Sequence, residues 1–448
     1  MKAPILPLAA LLLGLSAPCT THAENLLDIY GKAVANDARF AAQRGAYQAG
    51  RERLPQGRAL LLPTLSANAE RGRSDSEIKY SGSTSFESGA RKYDERQYSV
   101  TLTQPLYRMQ NIAGYQQAKA QARVAEAQWA LAAQDLILRT AQAYIDVLTA
   151  QQDVATAAAH VKSTRGQFEQ TQAKLGVGAA TRLETSEARA RADVARSQLI
   201  AAQHELLSKR QALARITNEM PGTLDEFAPN LPLVAPAGDV SEWLTLAEKN
   251  NPQLQALRDG LEVAKRELQR ARGAHHPSID LVAERSSGFS TGSVYTSADS
   301  DTEITSARVR LELPLYQGGA VSSRVREAAG NLSRAEGELE DARRDIQVQI
   351  NQQFNGAVSG ADRTLALGQA LISSREAERA NRIGFGVGAR NFVDVLNAEQ
   401  QAFDVAREAI KAKHEYVLSA LRLKALAGVL REDELASLNS YLRPPETP

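Results

Sequence analysis

Apolar and polar positions along this chain follow two different periods, and each period appears in separate blocks. After a helix-like opening over residues 25–60, two short blocks near 64–70 and 97–102 place an apolar residue at every second position. A longer block over 108–174 places apolar residues at seven-residue intervals, including Val124, Leu131, Leu138 and Ile145. The period of two predicts strands with one apolar face, and the period of seven predicts a coiled-coil seam.

The same blocks recur in the second half of the chain, in the same order. Residues 62–65 (LPTL) align with 276–279 (HPSI) at an offset of 214 residues. Residues 104–107 (QPLY) align with 313–316 (LPLY) at an offset of 209 residues. Three such blocks at nearly constant offset indicate an internal duplication, because the third, GVGA, also occurs twice, at 176–179 and 386–389.

The duplication divides the chain into two repeats with the same plan. Repeat one is predicted over residues 24–236 and repeat two over 239–440, each a strand hairpin plus a long helical hairpin, and 441–448 form a short tail. The junction is predicted to be a non-helical connector because four prolines fall within it: Pro221, Pro229, Pro232 and Pro236.

Each predicted strand hairpin has one apolar and one polar face. In repeat two, the apolar residues Val309, Leu311 and Leu313 alternate with the charged residues Arg308, Arg310 and Glu312. Between the predicted strands, segments 71–93 and 286–302 are rich in serine, glycine and charge, so they are predicted to be long exposed loops.

Each long helix is predicted to turn back on itself at the GVGA segment. The outgoing helices cover about 108–174 and 318–383, and the returning helices about 181–218 and 391–428. Roughly 65 residues at 1.5 Å per residue make a rod on the order of 100 Å long. The turn glycines are predicted to end the outgoing helix and to reverse the chain with positive φ. They are Gly176, Gly178, Gly386 and Gly388.

Residues 1–23 have the features of a secretory signal peptide: one positive charge at Lys2, an apolar run, and a small-residue exit. Cys19 raises a lipid-anchored N-terminus as an alternative, but Pro18 disfavours lipoprotein processing, so cleavage after Ala23 is the favoured prediction. Loss of Lys2 leaves basic and acidic residues in equal number, which argues against nucleic acid as a partner.

The strands need an assembly, because a lone hairpin is marginal in water and four strands cannot close a barrel of useful width. An apolar face and a charged face suit the lipid and lumen sides of a transmembrane β-barrel. Three chains would pool twelve strands and set twelve helices into a tube below them. The predicted fold class is mainly α with transmembrane β: a homotrimer with a 12-stranded barrel and an α-helical tunnel. The alternative is a secreted coiled-coil protein with some β structure.

The ordered set of motifs resembles the TolC family of outer-membrane efflux and type I secretion channels, over the whole predicted mature chain. The motifs are LLP at 61–63, HHP at 275–277, PLY at 105–107 and 314–316, the segment 384–400 (GFGVGARNFVDVLNAEQ) and the tail 425–439. The resemblance implies a homotrimer in outer-membrane lipid of a Gram-negative bacterium, extending into the periplasm. It also implies a periplasmic membrane-fusion adaptor and an inner-membrane ABC transporter or proton-driven pump as partners. No enzymatic activity and no cofactor are expected.

Two kinds of cargo fit such a channel. Type I protein secretion is favoured, because many drug-efflux relatives carry a lipid-anchor cysteine and this chain has no convincing one. Multidrug or small-molecule efflux is the alternative. A periplasmic adaptor fits less well, since adaptors have one helical hairpin flanked by β domains, and a passive porin needs far more strand.

The resemblance assigns a pore constriction to Asp394 and Asn397. In the family, the matching segment lines the periplasmic constriction with two acids, of which Asp394 matches the first. The second falls on Asn397, so a ring of three copies is expected to be less acidic than in a two-aspartate relative. The alternative is that Asp394 only stabilises a helix N-terminus through the helix dipole.

The resemblance also implies a gate latch. Arg390 matches a family arginine that holds neighbouring tips closed, and Glu184, the repeat-one equivalent of Asp394, matches its acidic contact. Phe385 stands where some relatives have tyrosine, so packing is expected there in place of a hydrogen bond. An Arg390–Glu184 pair, within or between chains, is one hypothesis, and an ordinary solvated ion pair is the other.

No constellation of catalytic residues is apparent, and GVGA is not a nucleotide-binding loop, because neither copy follows a strand or contains the required lysine. The histidine pair His275-His276 has no acid or cysteine at ligand spacing, so no metal site is expected. Repeat one has Leu61-Leu62 at the aligned position, which indicates a packing or interface role.

Overall fold

A computed structural model describes residues 23–85, 88–228 and 231–444. The predicted signal peptide before Ala23, including Cys19, lies outside these residues, as do Pro229 of the connector and residues 445–448 of the tail. Cleavage and lipidation therefore remain predictions.

Both repeats open with short helices, as the sequence predicts. Repeat one begins with α1 (Leu26–Asn36), α2 (Ala38–Arg51) and α3 (Arg53–Ala59). Repeat two begins with α6 (Val240–Asn250) and α7 (Pro252–Gly273). Polar residues cap the junctions between them. The Asn251 side chain accepts the first free N–H groups of α7, and a proline occupies the first position of that helix, where no N–H is needed.

Four helices form the two long hairpins. In repeat one they are α4 (Met109–Gly176) and α5 (Arg182–Thr217), and in repeat two α8 (Ala320–Gly386) and α9 (Phe392–Leu426). The 68 residues of α4 make a helix about 100 Å long. α4 packs along α5 and also touches α9, which packs along α8. The helices therefore lie side by side in the order α5, α4, α9, α8.

A four-stranded antiparallel sheet lies at one end of the hairpins. Its strands are β1 (Thr64–Ile78), β2 (Gly89–Arg108), β4 (Ser278–Ser290) and β5 (Ser300–Glu312), in the order β1-β2-β4-β5. The pairing of β2 with β4 joins the two repeats. β1 and β5 are the edges, and no strand of the described chain covers either outer side.

The strands are longer than the sequence pattern predicts. Segments 71–93 and 286–302 are predicted to be long loops, but 71–78 and 89–93 extend β1 and β2, and 286–290 and 300–302 extend β4 and β5. The reason is cross-strand pairing of polar residues, which a single strand does not reveal. Asp75 lies directly opposite Lys92 and forms an ion pair with it at 3.0 Å. Such opposed charges stabilise a ladder without an apolar face.

A belt of short segments packs against the middle of the hairpins. It includes the described parts of the connector, with β3 (Glu226–Phe227), and the end of the chain, with α10 (Glu432–Asn439) and β6 (Leu442–Arg443). β3 pairs with β6, and the buried hydroxyl of Tyr144 donates to the carbonyl of Asp225 at 2.8 Å. The connector prediction is confirmed where it is described, whereas α10 and β6 were not predicted.

Within the described residues, no helix is both long and apolar enough to cross a membrane.

Candidate functional site at the hairpin tips

The two GVGA turns have the same backbone structure. Gly178 has φ +76° and Gly388 has φ +77°. One residue later, the N–H of Ala179 donates to the Lys174 carbonyl at 2.8 Å, and that of Ala389 donates to the Gly384 carbonyl at 2.8 Å. These are Schellman ends of α4 and α8, in which glycine adopts the left-handed conformation without a Cβ clash.

Positive φ occurs at only one glycine of each pair. Gly176 and Gly386 are the last residues of α4 and α8 and keep helical backbone, so the prediction of positive φ is wrong for them. The physical reason is that a Schellman end needs a single left-handed residue just beyond the helix, and the second glycine fills that position.

The acidic residue after each turn caps the returning helix. The Glu184 carboxylate accepts the N–H of Thr181 at 2.7 Å, and Thr181 Oγ1 accepts the N–H of Glu184 at 3.1 Å. Asn391 and Asp394 form the same reciprocal pair at the start of α9. Each acid therefore stabilises a helix N-terminus, as the capping box requires. A pore role for Asp394 would be additional to this one.

Phe385 takes part in the packing of the tip. Its ring lies 5.6 Å from that of Phe392, the first residue of α9, and the ammonium of Lys174 lies 5.2 Å from the Phe385 centroid. Phe392 also belongs to a small buried cluster with Ala188 of α5. Apolar contact and a cation–π contact thus join the tips of the two hairpins.

Arg390 and Glu184 form no ion pair with each other in the single chain. Among the described residues Arg390 has no acidic partner, and its side chain lies against Gly384. The Glu184 carboxylate is engaged by Thr181. The latch hypothesis therefore remains a prediction for a pair between Arg390 of one copy and Glu184 of another.

Asn397 is exposed and lies one turn beyond Asp394 on α9. Its Oδ1 accepts a hydrogen bond from Arg191 of α5 at 3.1 Å. The amide therefore links the returning helices of the two repeats, a contact that the sequence does not indicate.

A buried acid above the turn was missed by the sequence reasoning. The Glu399 side chain on α9 is 4% exposed and pairs with Arg382 of α8. It also accepts hydrogen bonds from Ser163, at 3.1 Å, and Gln167, both on α4. Its Oε2 has no donor among the described residues. The Glu399 cluster, these four side chains, therefore ties repeat two to α4.

A sequence signal for Glu399 does exist. It falls on the buried stripe in the first half of α9, where the other buried residues are apolar: Phe392, Val395, Leu396, Ala402, Phe403 and Ala406. An acid in such a stripe is rarely buried without a partner, so it indicates a polar contact across the helix interface.

A charged groove runs between the hairpins at mid-height, with a cavity of about 850 Å³. Asp146 and Asp153 of α4 line it, and Asp153 pairs with Arg407 of α9 at 3.1 Å. Asp146 is roughly 200° around the helix from Tyr144, which packs against the belt. The groove thus lies on the face of the helical layer opposite the Tyr144 contact with the belt.

Two histidines of the long helices, His160 on α4 and His414 on α9, have lowered pKa values. Burial lowers the pKa of His414 to about 3, with a further contribution from the charge of Lys413. Its Nδ1 lies 2.7 Å from Thr149 Oγ1, which donates its own proton to the Ile145 carbonyl, so His414 is the donor to Thr149. Burial also lowers the pKa of His160, whose ring stacks on Phe403.

The histidine pair at the helix–strand junction has a packing contact. His276 Nδ1 lies 3.3 Å from the hydroxyl of Tyr107, at the end of β2. No group of three or more possible metal ligands occurs among the described residues. Next to this contact, Arg108 binds the buried carboxylate of Asp280, with 2.8 Å between Nε and Oδ1, and so anchors β2 on β4.

Comparison with known proteins gives a match along almost the whole chain. A family profile described as "Outer membrane efflux protein" matches residues 29–219 and 243–429. The chain is 31% identical to the alkaline protease secretion protein AprF of Pseudomonas aeruginosa, covering 94% of this chain and 88% of AprF. It is 30% identical to the proteases secretion protein PrtF of Dickeya chrysanthemi, covering 99% and 95%. It is 28% identical to the outer membrane protein TolC of Escherichia coli, covering 98% and 90%.

The fold is also found among solved structures. The crystal structure of the Campylobacter jejuni CmeC outer membrane channel matches with a TM-score of 0.77 at 16% identity, covering 94% of this chain and 90% of that chain. The duplicated arrangement of strand hairpin and helical hairpin is thus shared with that channel.

Proposed function

The chain belongs to the outer membrane efflux protein family, and we propose that it forms the outer-membrane exit channel of a type I protein secretion system. The family consists of channels rather than enzymes. The observation that carries the proposal is similarity over nearly the full length to AprF and PrtF, which are both named as protease secretion proteins. Small-molecule efflux is the alternative cargo.

The channel is an outer-membrane protein that extends into the periplasm, and we propose that three copies assemble it. The edge strands β1 and β5 have no partner on their outer sides within the described chain. Their apolar residues Leu65, Val309 and Leu311 are exposed, as is Leu313 directly after β5. Three copies would close twelve strands into a barrel and place twelve long helices in a tunnel about 100 Å long.

The hairpin tips are proposed to meet a periplasmic membrane-fusion adaptor. Val177 and Val387, at equivalent positions of the two turns, are 81% and 76% exposed, and Leu183 beside them is also exposed. Apolar side chains presented at the end of a long hairpin favour contact with another protein. An inner-membrane ABC transporter is the proposed partner that supplies the energy, because the chain itself is a passive conduit.

The tips are also proposed to close the tunnel. Three copies of Asp394 would form a ring of carboxylates, with three copies of Asn397 one turn away. Arg390 of one copy would reach Glu184 of the next, and three such exposed pairs, at about 0–1 kcal/mol each, would favour closure without locking it. The absence of an acidic partner for Arg390 among the described residues of its own chain supports a contact between copies.

Complementation tests the cargo. The gene is expressed in Pseudomonas aeruginosa lacking AprF, and alkaline protease activity is measured in the medium. In parallel, the inhibitory concentrations of small-molecule antibiotics are measured in a strain lacking its outer-membrane efflux protein. Immunoblots of outer membranes control for expression and assembly. Restored protease secretion is the expected result, and restored antibiotic resistance without secretion would favour efflux.

A further inference from the structure

The two strand hairpins of the chain have the same register. In repeat one Thr64 lies opposite Thr103, and in repeat two Ser278 lies opposite Glu312. The offsets of 214 and 209 residues that align the repeats convert the first pair into the second. Register is therefore a property of the repeat, and it can be transferred between equivalent strand pairs.

Strands of the two repeats pair with each other at one place within the described chain. There the second strand of repeat one, β2, lies beside the first strand of repeat two, β4, with Leu102 opposite Ala283 and Val100 opposite Arg285. The equivalent strands at the sheet edges are β5, the second strand of repeat two, and β1, the first strand of repeat one. Neither has a partner on its outer side within the described chain.

We propose that β5 of one copy pairs with β1 of the next copy in the register that β2 and β4 adopt within the chain. The proposal rests on the trimer put forward above and specifies which residues meet at its three sheet junctions. The same offsets give the opposed pairs Leu313–Ala67, Leu311–Ala69, Arg310–Glu70 and Val309–Arg71.

Two of the four transferred pairs repeat the residue types of the observed contact between β2 and β4. Leu311 opposite Ala69 repeats the Leu102–Ala283 pair, and Val309 opposite Arg71 repeats the Val100–Arg285 pair. The apolar residues of both edges also fall on one face. A slip by one residue would put the apolar residues of β5 and those of β1 on opposite faces of the sheet. Burial of a single apolar face excludes that register.

Charge supports the same register. Glu70 and Arg310 form no ion pair among the described residues of one chain, although the interior strand pairs are rich in such contacts. In the proposed register the two lie directly opposite, and opposed charges across strands are favourable. A slip by two residues in one direction would place Glu312 against Glu70, which is unfavourable.

Just below the strands, the contact between the repeats within the chain is polar, whereas the equivalent contact proposed between copies is apolar. Leu315 and Tyr316 follow β5 and are 89% and 86% exposed. Their equivalents in repeat one lie at the bulged end of β2, where Tyr107 contacts His276. Leu62 stands at the position equivalent to His276, so Tyr316 of one copy would pack on Leu62 of the next. This explains why a histidine in one repeat is a leucine in the other.

Disulfide mapping tests the register. Glu70→Cys is combined in turn with Ser306→Cys, Arg308→Cys, Arg310→Cys or Glu312→Cys, in a Cys19→Ser background of the full-length protein. Purified protein in detergent is oxidised mildly and run on non-reducing gels. Only directly opposed positions meet the Cα distance limit of a disulfide, about 7 Å. The Arg310 partner should therefore give the highest yield of covalent trimer, reversed by reductant.

The equivalent pair within the chain is the matched control. Thr101→Cys with Glu284→Cys should form a disulfide that leaves the protein monomeric on the same gel, because these residues are opposed inside one sheet. A maximum yield at any partner other than Arg310 would overturn the register while leaving the trimer intact. If native mass measurements show no trimer, the proposed assembly itself fails.

Charge reversal gives a second readout. Glu70→Arg alone and Arg310→Glu alone should each lower the temperature at which the trimer dissociates on heating in detergent. The double variant should recover most of the loss, because the pair is restored with its signs exchanged. Additive losses in the double variant would contradict direct pairing.

Discussion

Asn391 and Asp394 cap the start of α9 reciprocally. Asn391 Oδ1 accepts the Asp394 N–H at 2.8 Å, and Asp394 Oδ2 accepts the Asn391 N–H at 3.2 Å. Asp394 is therefore a structural residue at the same position where it is proposed to line the constriction. The two roles can be separated by substitutions, because the cap needs an acceptor oxygen and the ring needs a charge.

Asp394→Asn should change ion selectivity without loss of stability, because asparagine keeps an acceptor for the cap but carries no charge. Asn391→Ala should instead lower the stability of the helix by about 0.5–2 kcal/mol and leave ion selectivity unchanged. Reversal potentials in planar bilayers under a salt gradient measure the first effect, and thermal melts measure the second. Unchanged selectivity of Asp394→Asn channels would exclude the pore role.

Arg390→Ala should raise the open probability of single channels in planar bilayers, because it removes the proposed contact with Glu184 of a neighbouring copy. Each exposed pair contributes about 0–1 kcal/mol, so loss of all three pairs should shift the equilibrium between closed and open channels by about 3 kcal/mol at most, roughly a hundredfold. Arg390→Lys, which keeps the charge, is the matched control. Equal open probability in the alanine variant and the parent protein would refute the latch.

Arg382→Ala should destabilise the tip more than Glu399→Gln. The first leaves the buried Glu399 carboxylate without its cation, whereas the second removes the charge and keeps hydrogen-bonding atoms toward Ser163 and Gln167. Loss of one partner of a buried pair costs about 3–5 kcal/mol, an upper figure here because Arg382 is half exposed. Hydrogen exchange at residues 378–402 measures the local opening, and equal protection in both variants would contradict a buried charge pair.

The free energy of unfolding should decrease as the pH falls, because His414 is neutral in the folded chain and takes up a proton on unfolding. Its pKa in the folded chain is about 3, below the ordinary value near 6.5, so the unfolded chain binds the proton more tightly. The contribution of this neutral histidine is present above pH 6.5 and is lost as pH falls toward 3. Between these two pH values, the free energy of unfolding should decrease by up to about 1.4 kcal/mol per pH unit.

The matched variant for this effect is His414→Gln, which keeps an amide donor toward Thr149 but does not titrate. Unfolding midpoints at pH 7 and pH 5 should differ less in this variant than in the parent protein. Identical pH dependence of the two proteins would show that His414 is not the group responsible.

Gly388→Ala should destabilise the tip by about 1 kcal/mol or more, because its φ of +77° disfavours any residue with a Cβ. Gly386→Ala, two residues earlier at the helical end of α8, should be neutral or stabilising, because alanine is the better helix former. Neither added methyl group meets an atom within 4 Å, so the comparison isolates backbone conformation. Thermal melts of the two variants provide the measurement, and equal effects would contradict the assigned turn.

The duplication, the order of the strand and helix hairpins and the positions of the hairpin turns could all be predicted from the amino-acid sequence. The returning helix predicted at 391–428 is observed as Phe392–Leu426, and the turn glycine Gly388 has the predicted positive φ. These features depend on residues close together in the chain, through helical periodicity and the left-handed conformation that glycine adopts freely.

The length of the strands and the burial of particular polar groups became known from the three-dimensional structure alone. The Asp75–Lys92 pair lengthens a strand hairpin that looked like a loop, because its two residues meet only when the strands align. Glu399 becomes a buried link only when α4 packs against α9, and the free charges of Glu70 and Arg310 are recognisable only at the two sheet edges. Burial and pairing depend on residues distant in sequence, so a local pattern does not reveal them.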